Sequence, residues 1–65
     1  MKRIVDIFHK NQRERVVWTY VVNLGGDGSH PSLADFKEEA LTLAGIDGHG
    51  PLEELDAQVH LEILK

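Results

Sequence analysis

RVVWTYVVNL, residues 15 to 24, is the stretch on which the fold turns. Seven of its ten residues are β-branched or aromatic, and such side chains suit a pleated, half-buried surface better than a helix. A strand is expected here. Its neighbour upstream, RIVDIFHK at 3 to 10, is ambiguous on its own. Met1, Ile4, Val5 and Phe8 fit one helical face, whereas the short length and the Ile-Val pair fit a strand. The polar connector Asn11-Gln12-Arg13-Glu14 decides the matter. It is short enough to join two antiparallel strands, so a β-hairpin of 3–10 with 15–24 is expected.

Downstream, Ser32 can cap a helix, with Asp35 three residues on in a capping-box arrangement. Leu33, Phe36, Ala40, Leu41 and Ala44 then form one apolar stripe, and Asp35, Lys37, Glu38, Glu39 and Thr42 lie mostly opposite. The spacing predicts a helix over 33–44. Gly45 is expected to close it in the left-handed conformation, with Ile46 packing back. In the last segment, Gly50-Pro51-Leu52-Glu53-Glu54-Leu55 has the proline and acids of a helix start. Ala57 to Ile63 alternates apolar and polar. A helical turn at 51–55 and a strand at 57–64 fit best, since one continuous helix would point Leu61 and Leu64 away from Leu52, Leu55 and Val59. That single helix over 51–65 is the alternative. The expected fold is therefore α+β, a ββαβ domain spanning 1–65, with one helix on a three-stranded sheet. The first strand is expected in the middle, with the third antiparallel beside it.

The alternation has a consequence for function. Val16, Trp18, Tyr20, Val22 and Leu24 point one way, and Val17, Thr19 and Val21 the other. In the first strand Ile4 and Phe8 share a face, and Val5 and Ile7 the opposite one. Both faces of the hairpin are apolar, and one helix covers only one. The uncovered face, with Ile4, Phe8, Val17, Thr19 and Val21, is a candidate interface, because large exposed apolar patches mark contact sites. A 65-residue chain hides only roughly 60% of its unfolded surface, so a homodimer or a protein partner would add much to a marginal core.

Composition narrows the classes. There is no cysteine, which excludes disulfides and thiolate metal sites. The apolar start is interrupted by Asp6 and His9, so it does not form a secretion signal, and no segment nears the roughly 20 apolar residues of a membrane span. A cytoplasmic location is expected. The net charge of −4 argues against general nucleic-acid binding. Charge is uneven, however. Residues 1–15 carry five bases against two acids, and the rest carries two bases against nine acids. Arg13 and Arg15 are the candidate basic contact, beside the aromatic Trp18 and Tyr20.

Two glycine loops remain. Gly25-Gly26-Asp27-Gly28-Ser29 follows a strand and resembles the Gly-Gly-Asp-Gly-Ser/Thr segment of the NAD kinase, diacylglycerol kinase and phosphofructokinase families. The resemblance implies a backbone that approaches phosphates, and it covers five residues. Those enzymes use far longer chains to build a nucleotide cleft. Here two residues, His30 and Pro31, also separate the loop from the helix start. Gly25 to Pro31 and Gly45 to Pro51 share the pattern G-x-D-G-x-x-P. Asp-Gly turns followed by a proline that ends one element and begins the next account for both. Asp27 and His30 with Asp47 and His49 have the chemistry of a metal set, yet about 18 Å of helix would separate the pairs in one chain. His9 and His60 are expected on neighbouring strands and on one face. Ser29 beside His30 lacks a nucleophile elbow and a third group. No cofactor, metal or catalysis is expected. The leading expectation is a non-catalytic protein–protein interaction module, an adaptor, regulator or inhibitor, homodimeric through the sheet face. A phosphate or metal module using Gly25–Ser29 comes next, and a nucleic-acid binder using the basic hairpin third.

Overall fold

The computed structural model describes residues 1–64. Strand β1 (Lys2–His9) and strand β2 (Gln12–Asn23) form the hairpin. Helix α1 (Leu33–Ile46) follows, then a 3₁₀ turn (Leu52–Glu54) and strand β3 (Leu55–Leu64). The sheet order is β2-β1-β3, antiparallel throughout, with α1 packed on one face. This is the expected ββαβ arrangement with β1 in the centre.

The sequence alternation sets the two faces. Val5 pairs with Tyr20 and Val59, and Ile7 with Trp18 and Ala57, so these side chains share the helix side. Val5, Ile7, Val22, Leu55 and Ala57 meet Phe36, Ala40 and Ala44 of α1 in one buried cluster. Alanines at 40 and 44 bring the helix close to the sheet, and the Phe36 ring fills the space between them. Tyr20, Leu24, Leu41 and Val59 pack around the rim. Arg3 lays its guanidinium 5.6 Å above the Phe36 ring and donates to the carbonyls of His60 and Leu61. Those carbonyls belong to the stretch where the β1–β3 register shifts, between Arg3 and Val5.

Three local expectations are corrected. The hairpin turns at Lys10-Asn11, not over 11–14, because His9 pairs directly with Gln12. The register then slips twice, so Arg13–Arg15 and Val17 face no residue of β1. The helix runs past Gly45 to Ile46, and Gly48, at φ 76°, takes the left-handed position. Gly45 has a packing reason instead: a Cβ there would lie 3.2 Å from Leu52 Cδ2. Ile46 is 76% exposed and does not pack back. The N-terminus of α1 is as read. Ser32 Oγ accepts from the Asp35 N–H at 3.2 Å, and Asp35 accepts from the Ser32 N–H at 2.8 Å.

Candidate interaction surface

The face of the sheet away from α1 carries no element of the described residues. Its centre is a cross-strand polar group. Asp6 in β1 accepts from Thr19 Oγ1 in β2 at 2.8 Å, and its other oxygen meets His60 Nε2 in β3 at 2.7 Å. Register explains the meeting. Asp6 pairs with Thr19 on one side and with Gln58 on the other, which puts His60 diagonally adjacent on the same face. Burial pushes the Asp6 carboxyl up, but the hydrogen bonds from His60 and Thr19 and the imidazole's charge outweigh it and hold the group below its ordinary 3.8.

Apolar residues flank this centre along β1. On one side Ile4 pairs with Val21, which is 60% exposed. On the other, Phe8 lies outside the core cluster with its ring 5.4 Å under the Arg13 guanidinium, and is only 6% exposed. Of the five expected interface residues, Ile4, Thr19 and Val21 thus sit together. Val17 stands at the register slip, and Phe8 is already covered by Arg13. Arg13 also reaches Asp56 at 3.3 Å, where Lys37 of α1 arrives at 2.9 Å. The Lys37 hydrogen bond and the charges of Lys37 and Arg13, with the Ala57 N–H, hold Asp56 below 3.8 against its burial. The two candidate basic residues therefore differ: Arg13 is engaged within the chain, and Arg15 is exposed.

Trp18 and Tyr20 face the helix side but lie beyond the helix itself. The loop after α1 covers them. Trp18, half exposed, stacks on the His49 ring with centroids 5.0 Å apart, and the Tyr20 ring meets the same imidazole edge-on at 6.2 Å. The Tyr20 hydroxyl donates to Asp47. Burial and this carboxylate neighbour push the phenol up to about 12. The second G-x-D-G-x-x-P loop is thus a bracket: its Asp and His clasp the aromatic pair of β2, and its glycines make the turn.

The first loop is built differently. Gly25 and Gly28 have φ of 82° and 87°, and the Gly28 N–H donates to the Gly25 carbonyl at 3.2 Å. Asp27 accepts from the Ser29 N–H at 3.0 Å, and Ser29's hydroxyl and backbone bonds hold its carboxyl below 3.8. A shallow open depression of about 470 Å³ is lined by Gly25, Asp27, His30 and Asp35 among others. A phosphate placed there would meet two carboxylates, and Asp35 already occupies the N-cap amide. Among the described residues no three His, Asp or Glu side chains gather as a metal-holding group. His9 and His60 do not share a face. His9 lies against Gly50 and pairs with Leu55, whereas His60 joins Asp6 on the open face.

Two contacts have no signal in the sequence: the Asp6–His60 pair and the His49–Trp18 stack. The first depends on the offset between β1 and β3, and the second on where a loop folds back. No helix of the described residues is long and apolar enough to cross a membrane. No family model, curated protein or solved structure matches this chain.

Proposed function

We propose that the chain is a small non-catalytic protein–protein interaction module that works through the open face of its sheet. The observation that carries this reading is the uncovered surface itself. Ile4, Val21 and Thr19 surround an Asp6–His60 pair held by hydrogen bonds from two neighbouring strands. Apolar flanks supply burial, and the fixed polar centre supplies specificity, since charged groups across an interface set register and exclude wrong partners. A second copy of the chain or a protein partner covers the face. The phosphate-loop and nucleic-acid readings rank lower. Asp27 and Asp35 line the first loop with negative charge, and Arg13 is committed to Phe8 and Asp56.

Light scattering across a concentration series tests the reading. The mass should rise above that of one chain, and Ile4→Gln, on the apolar flank of the face, should lower it while leaving circular dichroism unchanged. A mass that ignores Ile4→Gln, together with no partner whose binding depends on Ile4, would sink it.

A further inference from the structure

The residues of β2 from Val16 to Val22 read V-V-W-T-Y-V-V. The order is palindromic about Thr19, with tryptophan and tyrosine as the one mismatched pair. β2 is also an edge strand, paired to β1 on one side and, among the described residues, to nothing on the other. A palindrome on a free edge is self-complementary. If a second copy adds antiparallel with Thr19 opposite Thr19, Trp18 meets Tyr20, and Val21 falls opposite Val17 at the register slip. No charge faces a like charge, because Arg15 falls opposite Asn23 and Glu14 opposite Leu24.

The backbone is poised for this register. Met1 and Leu24 form a hydrogen-bonded pair, through the Leu24 N–H to the Met1 carbonyl at 2.9 Å and the Met1 amine to the Leu24 carbonyl at 3.0 Å. Pairing continues without a slip to Ile7 and Trp18. Bonding alternates along an antiparallel ladder. Val22, Tyr20 and Trp18 therefore turn their N–H and C=O groups toward β1, and Thr19, Val21 and Asn23 turn theirs outward. A two-fold axis at Thr19 makes the Thr19 pair a reciprocal hydrogen-bonded pair.

Edge strands are normally blunted by charge, proline or short length. The seven residues 16–22 contain no charge, proline or glycine, and β2 is the longest strand of the sheet, at twelve residues. Val16, Trp18 and Val21 are about half exposed or more. Charge favours the same orientation. The antiparallel partner brings the basic hairpin tip of each copy, with Lys10 and Arg15, alongside the other copy's Gly25–Ser29 loop and its Asp27 carboxylate. This contact occurs twice by symmetry.

We infer that the outer edge of β2 pairs antiparallel with β2 of a second copy, centred on Thr19, to form a continuous six-stranded sheet with both helices on one side. This contact lies in the plane of the sheet and stands apart from the open-face reading. It leaves that face free and doubles its width.

The chain has no cysteine, so single cysteines report the register directly. A hydrogen-bonded antiparallel pair has Cα atoms about 5.5 Å apart, within disulfide reach, whereas face-packed sheets lie about 10 Å apart, beyond it. Under mild oxidation, Thr19→Cys should shift to a doubled mass on a non-reducing gel, and Arg15→Cys and Gln58→Cys should stay at one chain. Val17→Cys and Val21→Cys should cross-link when mixed and not when separate. Adding Ile4→Gln should leave the Thr19→Cys cross-link in place, which separates this contact from the open face. Equal cross-linking of Thr19→Cys and Arg15→Cys would overturn the inference. So would mixed Val17→Cys and Val21→Cys that stay monomeric.

Discussion

The sheet presents two faces made by the same three strands, and they are held by different physics. The helix side is a packed apolar layer in which Val5, Ile7 and Phe36 are fully buried. The open side is organised by polar bonds between strands, with Asp6 at the centre held by Thr19 and His60. One face resists change through volume. The other resists it through charge. A small sheet with one helix can thus order its bare side by cross-strand bonding instead of a second layer.

Two isoleucines three apart on β1 test this contrast most strongly. Ile7→Ala on the covered side should cost about 2–5 kcal/mol, the range for emptying a packed site. Ile4→Ala, on the open side, should cost about 1 kcal/mol or less, since Ile4 leaves no closed cavity. Urea unfolding of both variants measures the gap, and equal losses would erase the distinction between the faces.

Next in size come the two ends of the pH scale. Asp6 and Asp56 lie below their ordinary 3.8 in the folded chain. The unfolded chain therefore binds protons first as pH falls, and the stability that these groups give above 3.8 is lost as pH drops through their folded values. Tyr20 behaves oppositely. Its phenol is raised from 10.0 to about 12, so its contribution is complete below 10 and disappears as pH rises from 10 to 12. Acid should loosen the open face and base the aromatic clasp on the other. Thermal melts across pH should show Asp6→Asn flattening the acid limb and Tyr20→Phe the alkaline limb. A variant that flattened the wrong limb would reverse the assignment.

Smaller again is the aromatic bracket. His49→Ala should cost about 0.5–1.5 kcal/mol by removing its stack on Trp18. It should also redden and quench differently the single tryptophan, read by fluorescence. The smallest effect belongs to Lys37→Gln, which removes one arm of a partly exposed ion pair with Asp56 and should cost about 0.2–1 kcal/mol. A loss several times larger would mean that Asp56 is the main tie between α1 and the sheet edge.

The frame of this fold is legible in the sequence for a definite reason. Alternation in β2 and in residues 57–63 has period two, and the stripe from Leu33 to Ala44 has period near 3.6, so element type and facing follow from spacing. The central place of β1 matches its burial, with Val5, Ile7 and Phe8 all buried. What spacing does not encode is offset. Asn11 to Glu14 are all acceptable turn residues, and nothing local says that Lys10 and Asn11 make the turn. Gly45 has the composition of a helix end, yet the helix runs through it, and Leu52 of the turn that follows lies against it. The same holds for the candidate site. Ile4, Thr19 and Val21 are readable as one face from alternation alone, but His60 finds Asp6 only in one alignment of β3. A one-residue slip would turn His60 to the other side.

The central place of β1 also sets the order of assembly. Its hairpin partner follows after two residues, but its other neighbour comes last, with Lys2 meeting Leu64. The hairpin closes a short loop and forms early, while β3 must wait for the whole helix between. During synthesis, β1 therefore spends an interval with its second flank bare. A nascent chain of this design is most open to wrong strand pairing just before β3 emerges, and chaperone protection or a slow variant of β3 would matter most in that window.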